Sequence, residues 1–250
     1  MTNTSDRPFL SIVIPAYNEQ NRIIGTLQKL VEYLGQQDYT SEVLVVDDGS
    51  MDATYGRAIE FAQRSPMVRV LRKPHLGKGG AVRTGMLAAR GEFRFLCDAD
   101  LSMPIGEVHK FLPPERVGTD VAIGSREAVG ALRHHEPGYR HLMGRIFNLV
   151  VRALVISGFS DTQCGFKCFR GPVAEELFSL QQSTGFGFDV EILFLARRLK
   201  YRVEEVPIDW YHVRESKVRP VTDAFQMFRE AVTVRLNDIR GCYDLRRGRE

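Results

Sequence analysis

Val43-Leu44-Val45-Val46-Asp47-Asp48-Gly49-Ser50 is the stretch from which the organisation of the chain can be read. Four successive apolar residues with no polar alternation read as a strand covered on both faces, and the abrupt change to Asp-Asp-Gly-Ser reads as its end. Toward the N-terminus, Phe9 to Ile14 is a second such run, stopped by Pro15. Between the two, Asn21 to Gly35 places Ile23, Ile24, Leu27, Leu30, Val31 and Leu34 at helical spacing and ends on a glycine. Toward the C-terminus, Met51 to Arg64 reads as a helix, Val68 to Leu71 as a strand, Gly79 to Ala89 as a helix and Phe93 to Cys97 as a strand ending at Asp98-Ala99-Asp100. Buried strands alternating with helices predict an α/β fold with a mostly parallel sheet and helices on both faces. Ligands of such sheets lie beyond the carboxyl ends of the strands. Three of those ends carry polar clusters: Pro15-Ala16-Tyr17-Asn18-Glu19, Asp47-Asp48-Gly49-Ser50 and Asp98-Ala99-Asp100.

The second half is less regular. Val121 to Arg126 reads as a further strand with a polar end, Tyr139 to Ser157 as a basic amphipathic helix and Ser160 to Arg170 as a compact polar loop. Val173 to Leu180 and Val190 to Leu199 read as helices, Tyr201 to Trp210 as a strand and Val221 to Ile239 as a last amphipathic helix. No repeat, low-complexity tract or linker divides the 250 residues, so one domain is expected. Its parts would be a regular half over about 9–120 whose strand ends gather the polar clusters, a less regular half over about 121–220, and a helix and tail over 221–250.

A composition of 44% hydrophobic and 26% charged residues excludes a disordered chain, and a net charge of +3 leaves the partner open. Cys97, Cys164, Cys168 and Cys242 are too few and scattered for a disulfide framework, and no second pair stands at zinc-site spacing. Buried thiols in a reducing cytoplasm are expected. Met1 to Asp6 is polar with no apolar core behind it, so no leader is expected. No apolar run reaches the ~20 residues of a spanning helix, and Leu149 to Ile156 is broken by Arg152. Any membrane contact is therefore expected to be peripheral. There is no aromatic-basic platform for nucleic acid.

Carboxylates at i and i+2 on a turn leaving a buried strand, as in Asp98-Ala99-Asp100, suit Mg²⁺, which takes one or two carboxylates plus substrate phosphate oxygens. A solvated turn or helix cap is the alternative for so short a pattern. Asp47 and Asp48 can accept from a nucleobase or ribose, or serve an Asx-turn before the next helix. Lys78-Gly79-Gly80 opens a helix, and glycines at a helix N-terminus allow phosphate to approach. It is neither a P-loop nor a dinucleotide fingerprint. Arg214-Glu215-Ser216-Lys217-Val218-Arg219 is a basic loop that can close on a diphosphate or simply be solvated. Arg140, Arg145 and Arg152 beside Leu142, Ile146, Phe147 and Val150 suit a helix lying in the headgroup layer, or one packed on the core.

Taken in order, Ile12-Val13-Ile14-Pro15-Ala16-Tyr17-Asn18-Glu19, Val45 to Ser50, Gly77-Lys78-Gly79, Asp98-Ala99-Asp100, Ile123-Gly124-Ser125-Arg126 and Glu215-Ser216-Lys217 resemble family 2 glycosyltransferases. These have the GT-A fold, with a Rossmann-like sheet. Asp161 to Lys167 and Phe188-Asp189-Val190-Glu191 resemble the dolichyl-phosphate glucosyltransferase branch. The resemblance implies a UDP-glucose donor, a polyprenyl-phosphate acceptor, inversion to a β-linked product, Mg²⁺ or Mn²⁺, and a peripheral enzyme at the cytoplasmic face of a membrane. Pro15, Tyr17, Glu19, Asp47, Asp48, Lys78, Gly79, Asp98 and Ala99 would line the donor. Asp98 and Asp100 would flank the metal, with Ser102 beside it where the mannosyl branch has Gln. Arg126, Arg214, Lys217 and Arg219 would meet phosphates, and Asp189 is expected to be structural. A GDP-mannose-dependent mannosyltransferase is the rival within the family; a nucleotidyltransferase or a non-catalytic lipid-binding module are the rivals outside it.

Overall fold

The computed structural model describes residues 7–135, 155–212 and 220–244, with Gly138 and Leu149 between the first two stretches; side chains of the last helix are described from Arg229. Leu10–Ala16 (β1), Ser41–Asp47 (β2), Val68–Arg72 (β3) and Phe93–Leu96 (β4) are the four strands expected from the first half. Ile23–Gly35 (α1), Thr54–Arg64 (α2) and Lys78–Ala88 (α3) connect them. β1 lies between β2 and β4, all parallel, with Ile12 opposite Val43 on one side and Phe95 on the other. Side chains of alternate parity leave the two faces of the sheet. Val13, Leu44, Val46 and Leu96 enter the core with α3, while Ile12, Ile14, Val43 and Val45 enter a second core with α1. That two-sided burial is why the strands read as continuous apolar runs. Gly85 lets α3 press against the sheet, since a Cβ there would lie 2.3 Å from Val13 Cγ1.

The sheet has seven strands in the order β3-β2-β1-β4-β7-β5-β8, so strands from both halves of the chain share it. Val121–Ser125 (β5) and Val203–Pro207 (β8) pair in parallel. Lys167–Arg170 (β7) runs antiparallel between β4 and β5. The stretch Ser160 to Arg170, expected as a polar loop, therefore ends in a central strand. Its polarity misled because Lys167 is buried by an ion pair rather than solvated. Tyr201 to Trp210, expected as one strand, is two: β8 and Asp209–Tyr211 (β9), which leaves the main sheet to pair with Leu132–His134 (β6). A 3₁₀ helix over Ile105–Phe111 follows β4. Gly171–Leu180 (α4) and Phe188–Arg198 (α5) cover the α3 face, and Pro220–Ile239 (α6) packs on α5. Tyr243 closes the end by donating its hydroxyl to buried Glu191 at 2.6 Å. Among the described residues no helix is long and apolar enough to cross a membrane. Of the expected basic helix, residues 139–154 lie outside the described residues apart from Leu149.

Candidate active site

The turns after β1, β2, β3 and β4 meet at the carboxyl edge of the sheet. Here α1 covers one face and α3 the other, the crevice that parallel sheets offer to ligands. The first two turns are bolted together. Asn18 N donates to Ser50 Oγ at 2.9 Å, Met51 N to Asn18 Oδ1 at 2.9 Å and Glu19 N to Thr54 Oγ1 at 2.7 Å. The Glu19 carboxylate pairs with Arg22 at 2.8 Å. Asp48 accepts from Leu76 N at 2.9 Å, Gly77 N at 3.0 Å and sits 2.7 Å from His75 Nδ1. It thereby holds the turn that leads into α3. The His75 ring stacks on Tyr17 with centroids 4.2 Å apart. Asp47 is fully buried, with Oδ2 near Arg72 at 3.4 Å and Oδ1 without a partner among the described residues.

Gly77 opens α3 at φ 101°, a conformation only glycine adopts freely. The expected phosphate cradle differs in detail from what this turn offers. Gly79 N and Gly80 N donate to the carbonyls of Gly185 and Thr184 at 3.2 and 3.1 Å. A Cβ on Gly79 would meet Gly185 O and Ser183 O, each at 2.8 Å. These glycines therefore let the 183–185 loop close on the helix, and the group turned toward the crevice is the Lys78 ammonium, 2.7 Å from Asp98 Oδ1.

The Asp98-Ala99-Asp100 turn is fixed from three sides. Thr26 on α1 donates to Ala99 O at 2.6 Å. Ser102 N donates to Asp100 Oδ1 at 3.0 Å. Ser102 Oγ receives the Trp210 indole N–H at 3.0 Å, and Ser102 O receives Tyr211 N at 2.7 Å, so β9 braces the turn. Burial and the neighbouring Asp98 charge push Asp100 above the usual aspartate range. Behind the turn, Lys167 Nζ lies 2.5 Å from Asp189 Oδ1. Burial raises Asp189 against the opposing pull of Lys167 and Lys78. Burial opposes the charge of Lys78, but Asp98 and Asp189 outweigh it and hold the ammonium above the ordinary lysine range. Gly165 gives Asp98 room, because a Cβ there would lie 1.9 Å from Asp98 Oδ2. At the end of β5, Arg126 is clamped by Asp161 through Nε–Oδ2 at 2.6 Å and Nη2–Oδ1 at 2.9 Å, and its guanidinium lies 5.5 Å from the Trp210 ring centroid.

The sequence pattern of Glycosyl transferase family 2 matches residues 11–178, which run from β1 through the Asp98 turn into α4. The chain belongs to glycosyl transferase family 2. Dolichyl-phosphate beta-glucosyltransferase of Homo sapiens is 33% identical to this glycosyltransferase over 256 residues, 96% of this chain and 79% of the human one. The Saccharomyces cerevisiae protein of that name is 35% identical over 260 residues, covering 94% and 76%. Among solved structures, glucosyl-3-phosphoglycerate synthase from Mycobacterium tuberculosis in complex with UDP superposes with a TM-score of 0.65 at 21% identity, over 93% of this chain and 80% of that one. The same enzyme in complex with Mn²⁺ and UDP-glucose gives 0.62 at 22%, over 93% and 79%. These likenesses establish the shared GT-A fold.

Among the described residues of this glycosyltransferase no three His, Cys, Asp or Glu side chains form a metal cage. Two crowded carboxylates, one of them held above its usual range by burial and by the other's charge, fit a divalent cation that draws its remaining ligands from phosphate and water. Of the expected site residues, the fold brings Pro15, Tyr17, Glu19, Asp47, Asp48, Lys78, Gly79, Asp98, Ala99, Asp100, Ser102 and Arg126 to the same edge of the sheet. Arg214, Lys217 and Arg219 lie outside the described residues. Sequence reasoning did not single out Thr26, His75, Gly165 or Trp210. Gly165 lies within the Asp161 to Lys167 stretch that carries the resemblance, but no local signal marks Thr26 or Trp210: Thr26 meets Ala99 across 73 residues and Trp210 meets Ser102 across 108.

Proposed function

We infer that this glycosyltransferase moves glucose from UDP-glucose onto the phosphate of a dolichyl or other polyprenyl lipid, with inversion at the anomeric carbon. The observation that carries the acceptor reading is the state of Asp189. The carboxylate behind the Asp98 turn, which could have served as a base toward a sugar hydroxyl, is locked on Lys167 at 2.5 Å. A phosphate acceptor is already anionic at neutral pH and needs no base, so the remaining tasks are alignment and stabilisation of the leaving diphosphate. The names of relatives 30–35% identical over most of the chain support the same donor sugar and acceptor class.

In this reading Tyr17, with Pro15 and Glu19, borders the base. Asp47 offers its buried Oδ1, and Asp48 uses the acceptor capacity left by the 75–77 turn, since a carboxylate has about four lone-pair sites. Lys78 and Ala99 face the diphosphate, and Gly79 keeps the 183–185 loop close. Asp98 and Asp100 hold Mg²⁺ or Mn²⁺, which when bound neutralises charge on the leaving group. Ser102 stands beside the metal carboxylates, its hydroxyl accepting from Trp210 and keeping its own proton to donate toward Asp100. Arg126, oriented by Asp161, together with Arg214, Lys217 and Arg219, meets phosphates of donor or acceptor. The seven-stranded sheet shared by both halves supports one catalytic unit.

The acceptor implies a place at the cytoplasmic face of a membrane, reached peripherally through the basic segment 139–157. Arg145→Glu with Arg152→Glu should lower binding to anionic vesicles; unchanged binding would place docking elsewhere. The function is tested by offering a panel of nucleotide sugars with a short polyprenyl phosphate and Mg²⁺ or Mn²⁺, read by mass spectrometry. Glucosyl-phosphoryl lipid from UDP-glucose is expected. Turnover of GDP-mannose alone would overturn the donor, and absence of any lipid product would overturn the acceptor.

A further inference from the structure

Lys167 and Asp189 are buried to 1% and 4% exposure, behind the turn that carries Asp98 and Asp100. A pair this deep adds little stability, because desolvating two ions offsets most of their attraction. Its geometry points to a task in the site. Lys167 is pinned twice, to Asp189 and to the Cys164 carbonyl, each at 2.5 Å. Lys78 precedes Gly79, which packs on Phe188 beside Asp189 (a Cβ on Gly79 would lie 2.9 Å from Phe188 Cβ), so the charge of Asp189 reaches a second cation as well as Lys167. Lys78 and Asp98 are each about a quarter exposed, so this end of the array faces the crevice while the other is sealed.

Three carboxylates (Asp98, Asp100 and Asp189) face two ammonium groups (Lys78 and Lys167), which leaves one negative charge in excess. A divalent cation on Asp98 and Asp100 would reverse that sign and would stand against the ammonium now 2.7 Å from Asp98 Oδ1. Asp98 Oδ2 is packed against Gly165, 1.9 Å from where a Cβ would stand, so a metal and Lys78 would compete for Oδ1, and two cations cannot share one carboxylate oxygen at contact without strong repulsion. The backbone of Lys78 cannot retreat, because the next two residues are hydrogen-bonded to the 184–185 loop. Its flexible four-carbon stem can.

We propose that Lys78 is a placeholder cation: it occupies Asp98 while the site lacks metal, and on arrival of metal and nucleotide it swings toward Asp189, which Lys167 maintains as a buried anion, and onto the donor diphosphate. Lys167 and Asp189 are then positioning residues acting through Lys78. This rests on Asp98 and Asp100 as the metal carboxylates.

The test is Mn²⁺ titration of the purified protein, with free Mn²⁺ read by electron paramagnetic resonance, without nucleotide and then with UDP. Lys78→Met should bind Mn²⁺ alone about tenfold more tightly than wild type, having lost the competing cation, yet bind it more weakly than wild type when UDP is present. Lys167→Met with Asp189→Leu replaces the buried pair by apolar groups of similar size. It should weaken Mn²⁺ binding without nucleotide about fivefold, because Lys78 then has only Asp98 as a partner. Unchanged or weaker Mn²⁺ binding by Lys78→Met, or wild-type binding by a folded double variant, overturns the proposal; if the double variant does not fold, Lys78→Met alone decides. Wild type that binds no Mn²⁺ even with UDP would instead bring down the metal reading, and the placeholder with it.

Discussion

Gly165 has no side chain because Asp98 occupies the space one would need. A Cβ built there lies 1.9 Å from Asp98 Oδ2 and 2.6 Å from Asp98 Cγ, and real Cβ contacts stay beyond 3.0 Å. In Gly165→Ala the carboxylate must therefore withdraw by about 1.1 Å or more. Its other oxygen is held by Lys78 at 2.7 Å. The methyl itself is held in place, since Phe166 O accepts from Gly124 N at 2.8 Å and Lys167 is anchored in β7. A misplacement of about 1 Å at a reacting centre costs about 10²-fold in rate, or roughly 2.7 kcal/mol of transition-state stabilisation at about 1.36 kcal/mol per tenfold. We expect kcat/KM for UDP-glucose, measured with a short-chain lipid phosphate by product mass, to fall about 100-fold, and Mn²⁺–UDP binding to weaken with it. The melting temperature should move by only roughly a few degrees, because one side chain at the rim is displaced and no core contact is lost. Activity within about threefold of wild type, in a protein that melts normally, would refute both the fixed position of Asp98 and its role at the reacting centre.

Asp100→Asn should abolish transfer even in saturating Mg²⁺ while raising the melting temperature of the metal-free protein at neutral pH. Burial and Asp98 raise the Asp100 pKa in the folded state, so its charge costs stability once the pH exceeds that raised value, and a neutral amide removes the cost. For the same reason Mn²⁺–UDP binding by wild type should fail on acidification at a pH above the ordinary aspartate value of 3.8; a calorimetric acid limb at or below 3.8 would contradict it. Asp48→Ala should weaken UDP binding by roughly 1–3 kcal/mol, the cost of leaving the nucleoside donor it would accept from unpaired in a buried site; equal calorimetric affinity would dismiss its role. Asp161, pulled down to about 2 by Arg126 against its burial, contributes stability above its unfolded pKa that is lost as the pH falls toward 2. Asp161→Asn should thus lose roughly 2 kcal/mol in urea unfolding at pH 7, with the gap to wild type narrowing below about pH 4. A gap that does not change with pH would show that the clamp is not ionic.

The sequence by itself determined the first half of the sheet and the polar ends of its strands. β1 to β4 and α1 to α3 each show their burial in the spacing of neighbouring residues, and a strand covered on both faces leaves a run such as Val43 to Val46 that needs no partner to be read. The acidic turn at Asp98 was legible for the same reason, being the point at which such a run stops. What only the tertiary structure decided are relationships between segments far apart. β7 counts as a central strand because β4 and β5 flank it, and Lys167 is a core residue because Asp189, 22 residues on, neutralises it. Gly79 and Gly80 looked like a phosphate cradle until the 183–185 loop proved to take their amides. Periodicity is a local property of a chain. A counter-charge, a missing Cβ or an occupied donor has meaning only once the fold has brought its partner within 3 Å.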